Sequence, residues 1–166
     1  MGFERSSKSL IWVISDTHLR KGQILPESFV ENIRREDCIF HLGDFISLDV
    51  IEFLNGKCRF EGVVGNCDAP DIRRIMPSKK IVEIEGKKIG LIHGRGGSHE
   101  SEELAKSEFS GRVDIALFGH THIAKTYQDN GTVYLNPGSL TDGRGENTSF
   151  GLLHLDDHPW TEIIQL

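Results

Sequence analysis

Apolar residues fall along this chain in short unbroken runs, each ending in glycine or a polar side chain. Leu10–Ile14, Cys38–Leu42, Arg59–Val64, Lys88–Ile92 and Val113–Phe118 read as strands, most of them buried on both faces. Helical spacing appears between them. Pro26 opens a helix expected to run to Arg35, with Phe29, Val30 and Ile33 on one face. Leu48–Leu54 follows, with Asn55-Gly56 as its expected stop, then a short helix after Pro70 that ends near Pro77. Strand, helix, strand, helix, strand implies a mostly parallel sheet in the first half. The second half changes character. Ile81–Glu85 and Lys88–Ile92 flank Gly86-Lys87 as a hairpin. Ser98–Phe109 reads as a helix with an acidic first turn. Lys125–Gln128 and Thr132–Leu135 flank Asp129-Asn130-Gly131 as a second hairpin. Asn136-Pro137-Gly138-Ser139 reads as a turn, Asp142–Asn147 as a loop, and Phe150–Leu155 with Thr161–Ile164 as a closing pair of strands.

The chemistry sits where the runs stop. In order, the ends carry Asp16-Thr17-His18, Gly43-Asp44, Gly65-Asn66, His93-Gly94 and Gly119-His120-Thr121-His122. Ligands of parallel sheets gather at the carboxyl ends of strands. Neutral imidazole is the commonest side-chain metal ligand. The set is nitrogen and oxygen, with no need of thiolate, and suits Mn, Fe, Zn, Co or Ni rather than Ca. Its glycines let the backbone turn tightly and pass close to a cluster of ions.

Composition narrows the field. The 166 residues fit one domain spanning 1–166, with 1–8 read as a frayed polar leader that also matches a loose myristoylation pattern. A formal net charge of −6 argues against long nucleic acid, which needs a basic face. It leaves room for a small phosphorylated substrate, since bound ions reverse the local field. No run approaches a membrane span, and Cys38, Cys58 and Cys67 form no CxxC pair, so a reducing cytoplasm is expected. Self-association into a homo-oligomer is left open.

The ordered set from Asp16 to Ser139 resembles the calcineurin-like metallophosphoesterases. Its length and its Gly-Asn-Cys-Asp block are similar to the small bacterial and archaeal phosphodiesterase branch. The resemblance implies an α/β fold, a four-layer αββα sandwich of two mixed β-sheets flanked by helices. It also implies two divalent transition-metal ions, manganese first. One would be held by Asp16, His18, Asp44 and His122, the other by Asp44, Asn66, His93 and His120, with Asp44 bridging. A water between the ions would lose a proton near neutral pH and attack the phosphorus of a small phosphodiester. Asn66, Cys67, Arg95 and Arg144 are the expected substrate contacts, with Gly143 where relatives often carry proline before such an arginine. Cys67 stands where the wider family has a histidine that protonates the leaving group. It is read as neither acid nor nucleophile, and as prone to ionise beside two cations. Asn136–Ser139 is assigned to scaffolding of the ligand loops. His41 is assigned to packing, His99 to solvent, and His154 and His158 to structural roles in the terminal strands. The rival reading is a protein-binding scaffold of the same fold, like the retromer subunit. A protein phosphatase is a third, disfavoured by the short chain and by Cys67.

Overall fold

A computed structural model describes residues 10–166; the expected leader at 1–8 lies outside them. Strand β1 (Ile11–Ile14) pairs in parallel with β2 (Cys38–His41), and β2 with β3 (Arg59–Gly62). On its other side β1 meets β9 (Ser149–His154) antiparallel, and β9 meets β10 (Trp160–Gln165). This sheet has the order β10-β9-β1-β2-β3. The second sheet has the order β4-β5-β6-β8-β7, built from β4 (Lys79–Ile84), β5 (Lys87–Ile92), β6 (Ile115–Phe118), β7 (Ala124–Asp129) and β8 (Thr132–Pro137). Both sheets are mixed, as expected.

Side-chain alternation along these strands separates three cores, and the three cores define four layers. Ile11, Val13 and Phe40 of the first sheet face Ile89, Leu117 and Leu135 of the second. Trp12, Ile14 and Ile39 point the other way. They pack on Phe29 of α1 (Glu27–Val30), Leu54 of α2 (Leu48–Lys57) and Ile72 of α3 (Pro70–Ile75). On the far side Ala116, Phe118 and Tyr134 pack on Ala105 and Phe109 of α4 (Ser98–Phe109). Gly90 makes this last contact close. A Cβ there would come within 2.6 Å of the Phe109 ring.

Several boundaries differ from the sequence reading. The helix expected from Pro26 to Arg35 ends at Val30. Beyond it the chain tightens, with Asn32 N–H donating to Phe29 O and Ile33 N–H to Val30 O. Arg34 N–H then donates to the Asp37 carboxylate at 2.9 Å, which also accepts from Leu10 N–H and Trp12 Nε1–H. A buried side chain thus takes the place of helical carbonyls. Helix α2 runs through Asn55-Gly56 to Lys57 and closes where Cys58 N–H reaches Leu54 O. The first hairpin turns on Glu85-Gly86 rather than Gly86-Lys87. Both residues have positive φ (50° and 74°), the mirror-image turn that matches strand twist. Asn136 and Pro137 belong to β8, so the turn there begins at Gly138. His158 lies in the connection between β9 and β10, not in a strand.

Candidate metal centre

The five strand ends converge. β1 delivers Asp16 and His18, β2 delivers Asp44, β3 leads to Asn66, β5 to His93, and β6 to His120 and His122. All seven expected ligand residues meet in one cluster. Gly43 and Gly65 allow two of these loops to touch backbone to backbone. A Cβ on Gly43, at φ +101°, would sit 2.5 Å from the Gly65 nitrogen.

Asp16 is fully buried. Its Oδ2 accepts from Ser15 Oγ and from His120 N–H at 2.9 Å. Its Oδ1 has no hydrogen-bond partner. That oxygen faces Nε2 of His122 at 3.3 Å, of His18 at 3.8 Å and of His93 at 3.9 Å. The tautomers follow from the opposite ring edges. His93 Nδ1–H donates to Leu42 O at 2.6 Å, and His122 Nδ1–H to Asp142 O. Their Nε2 lone pairs therefore aim inward. His18 Nε2 lies 3.3 Å from His122 Nε2.

A second convergence lies beside the first. Asn66 Oδ1 is 3.0 Å from His93 Nε2 and 2.9 Å from His120 Nδ1, and those two nitrogens are 3.3 Å apart. Asp44 sits between the groups, with Oδ2 3.4 Å from His93 Nε2 and 3.7 Å from His18 Nε2. Acceptors gathered this closely repel one another unless cations lie among them, so the donor set fits divalent ions. The trios Asp16–His18–His122 and Asp16–Asp44–His93 each bring their ligand atoms within 4.8 Å of one another.

The titration directions carry the same tension. Burial opposes ionisation of Asp16, yet His122, His18, His93 and Ser15 outweigh it and hold the carboxyl far below the usual range. Asp44 is also lowered: burial works against it, and His93 and the Cys67 N–H prevail. Burial works against the imidazolium of His93 and of His122, but Asp44 raises the first and Asp16 the second. His120 is lowered by burial and by the charge of His93.

The loops are braced from behind. Asp68 is buried and its carboxylate accepts four backbone N–H groups. Oδ1 takes Phe45 (2.7 Å) and Ile46 (3.0 Å), and Oδ2 takes Gly65 (2.8 Å) and Asp44 (3.0 Å). It ties the Asp44 loop to the Asn66 loop. Arg73 donates from Nε to Asp68 O and from Nη2 to the carbonyls of Gly65 and Asn66. Sequence reasoning missed both roles. Asp68 could have been suspected as an acid beside Asn66 in a glycine loop. Arg73 gives no signal, because its acceptors are main-chain carbonyls. Asn136 Nδ2 donates to Gly119 O and Thr121 Oγ1, and Ser139 Oγ to Asp16 O, as the scaffold reading of that segment anticipated. His41 is buried behind the site. Its Nδ1 accepts Gly43 N–H at 3.1 Å, which leaves Nε2–H to donate to Thr17 Oγ1 at 3.0 Å. Burial pushes its pKa down to about 3.

Cys67 is exposed at the rim. In the metal-free cluster its thiol is pushed up by desolvation and by the Asp44 charge. Arg95 and Arg144 are exposed. Arg144 lies near enough for its charge to oppose protonation of His122, while Arg95 is anchored by its backbone to Ser101 Oγ. His99 is exposed in the first turn of α4, and His154 stacks on Trp160 with ring centroids 3.7 Å apart. A shallow depression of about 230 Å³ opens beside Asn66 and His93, with Arg73 and Ser78 on its wall. A larger apolar cleft of about 460 Å³ lies away from it, between the β1–α1 loop and α2, and includes Ile24, Val50 and Phe53.

Two mixed sheets between helices, with a nitrogen and oxygen cluster at the strand ends, form a metallophosphoesterase fold. Residues 10–158 match the family model of the calcineurin-like phosphoesterase superfamily domain, and the chain belongs to that family. It is 34% identical over 152 residues to a probable metallophosphoesterase of Methanothermobacter thermautotrophicus, covering 89% of this chain and 86% of that one. It is 28% identical over 166 residues to a phosphodiesterase of Methanocaldococcus jannaschii, covering 93% and 98%. Among solved structures, wild-type Vps29 of Entamoeba histolytica complexed with zinc superimposes with a TM-score of 0.71 at 25% identity, covering 94% and 98%.

Proposed function

We propose that this chain is a dinuclear metal-dependent phosphodiesterase, one domain over 1–166, acting on a small phosphodiester. The observation that carries the reading is the buried Asp16 Oδ1, unpartnered and faced by three imidazole nitrogens. The phosphodiesterase activity named for the Methanocaldococcus relative supports the substrate class. Asp16, His18, Asp44 and His122 would hold one ion, and Asp44, Asn66, His93 and His120 the other. When bound, two such ions supply Lewis acidity and an activated water. The chain supplies the rest. Leu42 O and Asp142 O fix the tautomers of His93 and His122. Asp68 and Arg73 fix the loop that carries Asn66. Arg144, close enough for His122 to feel its charge, would meet a substrate phosphate from the rim; Arg95 is the second candidate. With Cys67 in place of a histidine, a diester with a good leaving group needs the least help. Three free cysteines suit a reducing cytoplasm, where we place the protein. Among the described residues no helix is long and apolar enough to cross a membrane.

The test is hydrolysis of a panel of mono- and diesters by protein stripped with a chelator and reloaded. Stripping should abolish diester hydrolysis, and manganese or another first-row ion should restore it. Full activity in verified metal-free protein contradicts the proposal. The likeness to zinc-complexed Vps29 favours a second reading, a protein-binding scaffold. The cleft beside exposed Ile24 and Phe53 would suit it. Metal binding alone does not separate the two readings; turnover does.

A further inference from the structure

The oxygen and nitrogen ligands do not exhaust the cluster. Cys67 Sγ, a ring nitrogen of His18 and a carboxylate oxygen of Asp44 lie within 4.8 Å of one another. Three contacts hold the sulfur there. Cys67 N–H donates to Asp44 Oδ1 at 2.8 Å, which pins the residue to the central carboxylate. Asn66 Nδ2–H donates to Sγ at 3.3 Å, so the sulfur already serves as an acceptor. That amide orientation is fixed from its other end, because Asn66 Oδ1 faces His93 and His120. His18 also joins this trio to the neighbouring one with Asp16 and His122, where the fully buried Asp16 Oδ1, without a hydrogen-bond partner, lies 3.8 Å from His18 Nε2.

We propose that Cys67 is a metal ligand, its sulfur joining His18 and Asp44 on the open side of the ion they hold. The inference rests on the metal centre proposed above and adds a donor of a different kind. The thiol proton passes to solvent as the sulfur binds. A mixed nitrogen, oxygen and sulfur set favours borderline-soft ions such as zinc and cobalt over manganese. The sequence pattern alone pointed to a site without sulfur, because Cys67 sits outside the ordered set of histidines and carboxylates. The fold brings it in through the turn at Gly65. Cys38 and Cys58 are buried in the cores and cannot substitute for it.

The test uses the whole chain, reduced and chelator-stripped, titrated with cobalt(II) and followed by absorption. The wild-type protein should develop a sulfur-to-cobalt charge-transfer band in the near ultraviolet beside its visible d–d bands. Cys67→Ser should take up cobalt without that band, and its preference for zinc over manganese should fall roughly 10-fold or more. X-ray absorption of the zinc-loaded wild-type protein, averaged over its two ions, should show about half a sulfur neighbour per zinc at about 2.3 Å. It decides the matter even where the variant does not fold. Cobalt bound with d–d bands alone, or a charge-transfer band that persists in Cys67→Ser, overturns the sulfur ligand and leaves the metal centre standing. Absence of any cobalt uptake overturns both.

Discussion

Two groups of left-handed backbone positions contrast in this chain. In the hairpins, Glu85-Gly86 and Asn130-Gly131 adopt it at the tips of paired strands. Glycine and asparagine tolerate that region, and the adjoining ladders supply the rest. At the strand ends, Asp16, His18, Asp44, His120 and His122 adopt it too, with φ between 46° and 77°. For aspartate and histidine this costs on the order of 1 kcal/mol each. No short ladder holds these residues. They are held by Asp68, His41, Ser139 and Asn136, up to 123 residues away in sequence. A hairpin turn is therefore a local solution, and the ligand loops are a collective one. The strain at the cluster is sustained by the rest of the fold, and it aims side chains of three loops at one space.

If that contrast is right, removing a brace should cost more than removing a turn residue. Asp68→Ala leaves three buried N–H groups and one half-buried one without their acceptor and should destabilise the protein by about 3–5 kcal/mol. Denaturant unfolding in the presence of chelator measures it. A loss below about 1 kcal/mol would mean the loops hold themselves.

His41 gives a pH signature. Its folded pKa of about 3 lies below the ordinary imidazole value of about 6.5, so folding favours the neutral ring. As pH falls, the unfolded chain takes up the proton first. The stabilisation is complete above about pH 6.5 and is lost progressively as pH falls toward about 3. Relative to His41→Gln, the metal-free wild-type protein should lose a few kcal/mol of stability over that range. Parallel curves for the two proteins would place the proton elsewhere.

The smallest effects test the backbone directly. His18 is partly exposed and strained, at φ 46°. In chelator, His18→Gly should raise Tm by about 1–3 °C, and in metal titrations the same variant should bind metal more weakly. Asn130→Ala, in the same region of backbone space, should lower Tm by about 2–4 °C and leave metal binding unchanged. Equal signs for the two would dissolve the distinction.

The same division governs what the sequence could disclose. Local features were legible. The apolar runs of β1, β2 and β6, the Asn130-Gly131 turn and the histidines and carboxylates that cluster at strand ends each announce themselves within a few positions. Features set by distant partners were not. α1 stops at Val30 because Asp37 captures the Arg34 N–H and the β1 edge at once, which no helical periodicity encodes. Gly56 reads as a helix stop, yet its φ is not positive and α2 continues past it. Arg73 looks like a charged residue on a short helix, and only the folded loop shows three carbonyls waiting for it. Cys67 reads as an outsider to the ligand set because its nearness to His18 and Asp44 depends on where β3 ends relative to β1 and β2.

In the proposed centre, the two convergences at the strand ends hold two ions with Asp44 between them. Elemental analysis of protein reloaded with manganese or zinc and freed of excess by gel filtration tests it most directly. The wild-type chain should carry two ions, His18→Ala should lose mainly one, and Asp44→Asn should lose occupancy at both. An Asp44→Asn protein that retains two tightly bound ions, or a wild-type protein that retains none, would contradict it.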